Sequence, residues 1–342
     1  MNFNFLKSIF RCVKIERKWI LRKFNKGDIE HFLDWRKLVA RREKTKEYFE
    51  WESFNGPWGP AETWLAVDGD TIVGQYSTQR YEAFYFGEKL MASLSFDTGT
   101  HPDYRRQGIF KTIGDHHFKE EGLQNIHFST GFPNENFWPG GKKFGWHALC
   151  LIPLLGSNKF FNINIKASSS FEIKEIKKFD NEFKGFSENF KDQISIYLNR
   201  TQEYLNWRFV DKPNLKEKHY IYSKFKILDK TGEMVSYLVI KFFQSNNQNI
   251  LHLVDFLSPI DENIYQTILS FLIDIAKANN IEMISMFLNR YHSFNTFLRK
   301  FGFQHIETNR VYIVRKNNDV LDKDILFDEK NHYMTMGDSD VI

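Results

Sequence analysis

Between His101 and Phe110 the chain reads HPDYRRQGIF, two arginines, a glutamine and a glycine at a turn that runs straight into an apolar-periodic stretch. Gly108 lets the backbone approach a ligand closely or adopt a positive φ. A helix starting at Ile109 leaves its first amides unpaired and pointing outward, at an end that carries about half a positive charge. Such an end suits an anion, and two linked phosphoryl groups can sit there on backbone N–H groups alone. Arg105 and Arg106 would add charge-assisted hydrogen bonds. The same residues also read as a solvated turn in which Gly108 meets a conformational need and nothing binds. Local chemistry leaves both readings open.

Other side chains could move protons. Asp97 ends the apolar-alternating stretch that leads to this turn and could act as a base, or could simply orient Thr98. His101 titrates near neutrality, but its place before Pro102 is that of a turn residue. His116 and His117 read as having no carboxylate or cysteine companion at ligand spacing, so no metal is expected. Cys12 and Cys150 are the only cysteines, too few for a disulfide framework, and Cys150 reads as a buried thiol and not a nucleophile. A reducing, cytoplasmic compartment fits this usage.

The elements that must position these residues follow from periodicity. Residues 19–23 read as a strand, Asp28 as the cap of a helix carrying Phe32 and Leu38, and Tyr48 and Trp51 as part of a second helix. Residues 62–67 and 71–78 flank the Asp68-Gly69-Asp70 turn as a hairpin, with a return strand over 91–98. A helix over 109–121 and strands over 126–130 and 147–153 complete an α+β order.

The 342 residues are 42% hydrophobic and 26% charged, a globular composition with room for two domains. A net charge of +4 is too mild for a dedicated nucleic-acid binder. No apolar run reaches the length of a membrane-spanning helix. Residues 1–19 interleave Phe3, Leu6, Ile9, Phe10 and Val13 with lysine and arginine. That pattern serves either peripheral contact with a membrane surface or a terminal helix packed on the body.

A repeat organises the chain. Tyr48, Trp51 and Pro57 recur 156 residues later as Tyr204, Trp207 and Pro213. Residues 19–28 are echoed by 171–180, and Asn134 with Phe144-Gly145-Trp146 by Asn289 with Phe301-Gly302-Phe303. Ordered echoes indicate a duplicated unit. The expected division is a basic segment over 1–18, a first domain over 19–155, a linker over 156–170, a second domain over 171–316 and a tail over 317–342.

The turn, with a strand before it and a helix after, resembles the cofactor loop of the GNAT N-acetyltransferase superfamily, Arg/Gln-x-x-Gly-x-Gly/Ala. Arg105, Gly108 and Phe110 take the fixed positions, with Phe110 where a small residue is usual. The resemblance implies two tandem GNAT-like domains, each a mixed, mostly antiparallel sheet flanked by helices. It also implies acetyl-CoA as co-substrate, bound through Thr100, Arg105, Arg106, Gln107, Gly108, Ile109, Phe110 and Lys111. Asn134 matches the asparagine that follows the next strand in such proteins. The tyrosine that usually protonates the leaving thiolate maps to Gly141. The second half has no Arg-x-x-Gly near 259–265 and resembles a degenerate copy that supports the acceptor site.

Direct transfer of an acyl group to an amine acceptor is therefore the expected activity, with Asp97 as first candidate base and His101 as second. The segment GFPNEN, residues 131–136, resembles GNAT proteins of surface-polysaccharide synthesis and points to an amino sugar as acceptor. Glu50 and Glu52 are not echoed in the second half and are candidates for binding a cationic amine. The alternatives are a CoA-binding pseudoenzyme or interaction module, as the missing tyrosine would allow, and a Fem-type aminoacyl transferase, against which the retained loop argues.

Overall fold

The computed structural model describes residues 18–40, 43–214, 221–245 and 248–339. The expected basic segment over 1–18 lies almost wholly outside them. In the first half, β1 (Ile20–Lys23), β2 (Glu62–Asp68), β3 (Thr71–Tyr85), β4 (Glu88–Thr100), β5 (Ile126–Gly131) and β6 (His147–Leu151) alternate with helices α1 (Ile29–Ala40), α2 (Lys46–Phe54), α3 (Ile109–Leu123) and α4 (Trp138–Gly141). The later strands are β7 (Leu154–Ser157), β8 (Phe171–Ile176), β9 (Ile196–Leu198), β10 (Ser223–Asp229), β11 (Met234–Ser245), β12 (Gln248–Leu257), β13 (Met283–Phe287), β14 (Gln304–Ile306) and β15 (Val311–Lys316). They alternate with α5 (Gln202–Phe209), α6 (Glu262–Ala278) and α7 (Ser293–Lys300).

The strands form two sheets, in the orders β1-β2-β3-β4-β5-β15-β6 and β14-β7-β13-β12-β11-β10-β8, with β9 added along the far end of β3. Pairing is antiparallel except for β4 with β5 and β12 with β13, which flank the crossover helices α3 and α6. Each half thus lends one strand to the other. After β6 the chain passes Ile152-Pro153, and β7 enters the second sheet between β13 and β14. Strand β15 returns the exchange by filling the gap between β5 and β6.

This exchange redraws the expected boundaries. Residues 154–157, expected to end the first domain at 155 and start the linker at 156, are a strand of the second sheet, and residues 311–316, expected in the second domain, belong to the first sheet. The expected tail is no tail, since residues 332–339 are buried throughout.

The repeat has a direct structural meaning. Trp51 and Trp207 stack with ring centroids 4.7 Å apart, and each indole N–H donates to the backbone carbonyl of the other, at 2.9 and 3.1 Å. Thr45 and Thr201, the corresponding N-caps, accept from the amides of Tyr48 and Tyr204. The duplicated helices α2 and α5 therefore meet across a pseudo-twofold axis, and packing is the role of these aromatics.

A buried polar network fastens β15 from the other side. Glu121 of α3 accepts from Thr78, Ser93, Ser129 and the amide of Asn317, directly after β15. His117, four residues before Glu121, faces it at 3.4 Å, so the histidine does have a carboxylate companion, though one fully engaged in holding strands together.

Candidate functional site

Strands β4 and β5 run parallel from Met91/Ile126 to Ser95/Gly131, and then β5 ends while β4 continues to Thr100 along β3. A bulge falls between Phe96 and Gly99, with Asp97 at φ 43°. Beyond Ser95 the edge of β4 that faced β5 has no strand partner, so a cleft opens there. A crossover in a parallel pair delivers the following helix start to the ends of the strands, and α3 begins at this mouth.

The loop before α3 is shaped as a receptor for an anion. Gly108 caps the helix at φ 79°, and Arg106 also takes a positive φ of 66°. Among the described residues no protein acceptor takes the amides of Arg106 to Lys111, the first engaged one being Thr112, which donates to the Gly108 carbonyl. A Cβ built on Gly108 would meet nothing within 4 Å. Arg105, Arg106 and Gln107 are exposed, and neither guanidinium pairs with a carboxylate among the described residues. The Tyr104 hydroxyl donates to Asp68 at 2.8 Å and ties the turn to the β2–β3 hairpin.

Phe110 does not obstruct this loop. Its ring points inward and packs near Tyr76, Phe137 and Phe144, over the backbone of Gly140, where any Cβ would lie 2.5 Å from it. The bulk gained at position 110 is accommodated by a glycine in α4, a compensation that two separate motifs do not reveal in sequence. Gly141 is constrained in the same way, since a Cβ there would lie 2.6 Å from the Phe137 ring, leaving no space for the tyrosine of the superfamily.

Several expected residues have other tasks. Thr100 ends β4 and pairs with Gly74, and Lys111 pairs with Asp115 on the outer surface of α3. Asn134 uses its carbonyl oxygen to accept from the amides of Asn136 and Phe137, so that atom serves the turn into α4. His101 Nδ1 accepts from the Asp103 amide and caps the turn.

Asp97 is not placed as a base. Its carboxylate is buried between Arg36 and Lys44, the latter at 2.6 Å, and Lys44 also pairs with Glu52. Burial, and then the nearby Asp97 charge, raise the Glu52 carboxyl despite the Lys44 ammonium. Glu52 is therefore locked inside and unavailable to an exposed amine. Asp97→Ala is expected to cost about 3 kcal/mol of stability, because it takes the carboxylate from the buried Arg36 guanidinium and leaves Lys44 with Glu52 alone; chemical denaturation reads this directly.

A phenol escaped the sequence reading. Tyr76 of β3 is fully buried beneath Phe110, and its oxygen accepts from Ser95 and from the indole of Trp146, both at 3.1 Å. Ser95 is the last residue of β4 paired to β5, so this hydroxyl pair stands at the point of divergence. Burial raises the Tyr76 phenol well above its ordinary range and keeps it protonated. Cys150 is half-buried, and burial pushes its thiol up to about 12, against a nucleophilic role.

Among the described residues the second half offers no such loop. Asp261 caps α6 with its own carboxylate, which accepts from the amides of Asn263 and Ile264, and Glu262 follows. An acidic side chain thus takes the place that a bound anion would need. Among the described residues, only the first of the two crossover helices begins with unengaged amides and no acidic cap.

Residues 21–149 match the sequence profile of the acetyltransferase (GNAT) domain. No curated protein matches the chain in sequence. Among solved structures the fold is similar to a GCN5-related N-acetyltransferase from Anabaena variabilis, with TM-score 0.71 and 13% identity over 88% of this chain and 73% of that one. It is also similar to N-myristoyltransferase from Saccharomyces cerevisiae with bound myristoyl-CoA, with TM-score 0.57 and 11% identity over 87% and 83% of the two chains. A tandem GNAT protein from the clavulanic acid biosynthesis pathway aligns over 88% of this chain and 99% of its own, with TM-score 0.54 and 11% identity. Among the described residues no helix is long and apolar enough to cross a membrane.

Proposed function

Since residues 21–149 are a GNAT domain and the chain around them has the tandem GNAT fold, we propose that this protein is an acyl-CoA-dependent N-acyltransferase with one cofactor site, in the first half. The observation that carries the reading is the row of unengaged amides from Arg106 to Lys111 beside two unpaired arginines at the mouth of the β4–β5 cleft. These donors fit the diphosphate of coenzyme A, the arginines add charge, and the pantetheine arm would follow the cleft toward Ser95. Acetyl-CoA is the donor we propose and a primary amine the acceptor.

In this geometry the neutral amine attacks the thioester carbonyl, and charge develops on the carbonyl oxygen. Amides on the unpaired edge of β4 face that oxygen, and preorganised donors of this kind are worth about 3 kcal/mol each. No enzyme nucleophile is needed. The Ser95 hydroxyl donates to Tyr76 in this structure; reversing that bond, so that the phenol donates to Ser95, would free the Ser95 proton to hydrogen-bond the departing sulfur where Gly141 offers nothing.

Calorimetric titration with acetyl-CoA, followed by thiol release with a panel of primary amines, tests the reading. One binding event per chain and amine-dependent thiol release are expected. Absence of acetyl-CoA binding overturns it.

A further inference from the structure

The buried C-terminal segment brings a carboxylate to a small cavity against β5, close to the point where β5 leaves β4. Asp338 is 6% exposed; its Oδ2 accepts from Arg200 and from the Thr335 amide, each at 2.8 Å, while its Oδ1 has no protein partner among the described residues. Asp338 lines a cavity of about 10 Å³ together with Thr130 of β5, Tyr312 of β15, and His332. That is room for a single water, and the walls supply the two or more polar partners a buried water requires.

The cavity is placed for the reaction. Ser93 and Ser129 face α3 through Glu121, so alternation along the strand turns Thr130 to the opposite face. Thr130 pairs with Leu94, one step before β5 leaves β4, and the Tyr312 hydroxyl hydrogen-bonds to it. The Ser95–Tyr76 pair therefore lies on one face of the divergence point and Asp338 on the other.

Resting on the acyltransferase reading, we propose that Asp338 is the base that takes the ammonium proton of the acceptor through one water held in this cavity, and that the amine approaches from the face covered by the second half. The ammonium gives one proton to the Asp338 carboxylate. The neutral amine forms the C–N bond to the carbonyl carbon as the C–S bond breaks, its second proton passes to the thiolate to give free coenzyme A, and Asp338 returns its proton to solvent.

The surrounding charges are compatible with this role. Burial and then the Asp255 carboxylate raise the Asp338 carboxyl, against the pull of the Arg200 guanidinium. Tyr204, Tyr312 and Tyr333 face it as neutral phenols whose ionisation burial opposes. Arg208 of α5 holds the carbonyls on either side, those of Gly337 and Ser339. His332 is held neutral by burial, its pKa lowered to about 4, and its Nε2 donates to the Leu326 carbonyl, so it is no competing base.

The test compares Asp338→Asn with Asp255→Asn, since both remove a carboxylate beside Arg200 but only the first lines the cavity. With acetyl-CoA and the best acceptor of a primary-amine panel, Asp338→Asn should lower kcat by about 100-fold or more and abolish the ascending limb of the pH profile. Its affinity for acetyl-CoA should stay within about threefold of wild type, and Asp255→Asn should keep the limb. Thr130→Val, which does not touch Arg200, should lower kcat about tenfold and supports the proposal should Asp338→Asn fail to fold. Retention of rate and limb in Asp338→Asn overturns the proposal, as does equal loss in Asp255→Asn or an unchanged rate in Thr130→Val. Where wild type binds acetyl-CoA but acylates none of the amines, infrared difference titration of the full chain decides. A carboxyl band titrating above the ordinary aspartate range and altered by Thr130→Val supports the proposal, and its absence overturns it. Loss of acetyl-CoA binding in wild type is a separate result and defeats the functional reading itself.

Discussion

Reversing both loop charges, Arg105→Glu with Arg106→Glu, is expected to weaken acetyl-CoA binding by about 100-fold or more while leaving the melting temperature within a degree or two. Both side chains are exposed and unpaired among the described residues, so nothing in the fold depends on them. Each charge-assisted contact to phosphate contributes about 1.5–3 kcal/mol, and 1.4 kcal/mol is a factor of ten, so losing two and adding repulsion exceeds two decades. The wild-type affinity should also fall as salt is raised, because exposed charges are screened within about 10 Å at 0.1 M. The double variant should lose most of that salt dependence. Calorimetry at two salt concentrations measures both effects.

The largest stability effect is expected at Arg200. Its guanidinium is fully buried where the two halves and the C-terminal segment meet, bonded to the Leu198 carbonyl at 2.8 Å, Asp338 at 2.8 Å and Asp255 at 3.3 Å. Arg200→Met keeps most of the volume but leaves two carboxylates buried without their cation, which costs about 3–5 kcal/mol. The sign of the pH dependence follows. Burial already raises the Asp338 carboxyl against the pull of Arg200, and without the cation it rises further above its unfolded value, so the loss is full at neutral pH and shrinks as pH falls and Asp338 protonates. Urea unfolding at pH 7 and pH 5 should show a smaller gap between variant and wild type at pH 5. Adding Asp255→Asn should recover part of the stability at neutral pH.

Much of the first half was legible because its signals are local. The hairpin around Gly69, the two crossover strands and the Gly108 loop follow from turn chemistry and periodicity within short windows. The constant spacing of Tyr48 and Trp51 to their second copies was visible, and its meaning as a reciprocal indole contact is what the fold adds. The exchange of β7 and β15 was not legible. It depends on which of two similar sheets accepts a short strand, and no local pattern in either strand decides that.

The candidate site divides along the same line. Its anion loop is contiguous and was read residue by residue, including the glycine and both arginines. Asp97 was misplaced because its partners Arg36 and Lys44 lie more than fifty residues away, and a carboxylate near a cleft looks the same in sequence whether it is free or paired. Asp338 lies in a short polar stretch with no periodicity, which reads as a solvated tail until the core that encloses it is known. Tyr76 lay within a strand already assigned, and only its depth beneath Phe110 marks it.

The most direct test is to record the backbone amide resonances of Arg106 to Lys111 with and without acetyl-CoA. Large shifts of those six signals, together with slowed exchange of their hydrogens against solvent, are the predicted result. Saturating acetyl-CoA that leaves them unmoved, or that moves the α6 start instead, would contradict a diphosphate site at the head of α3.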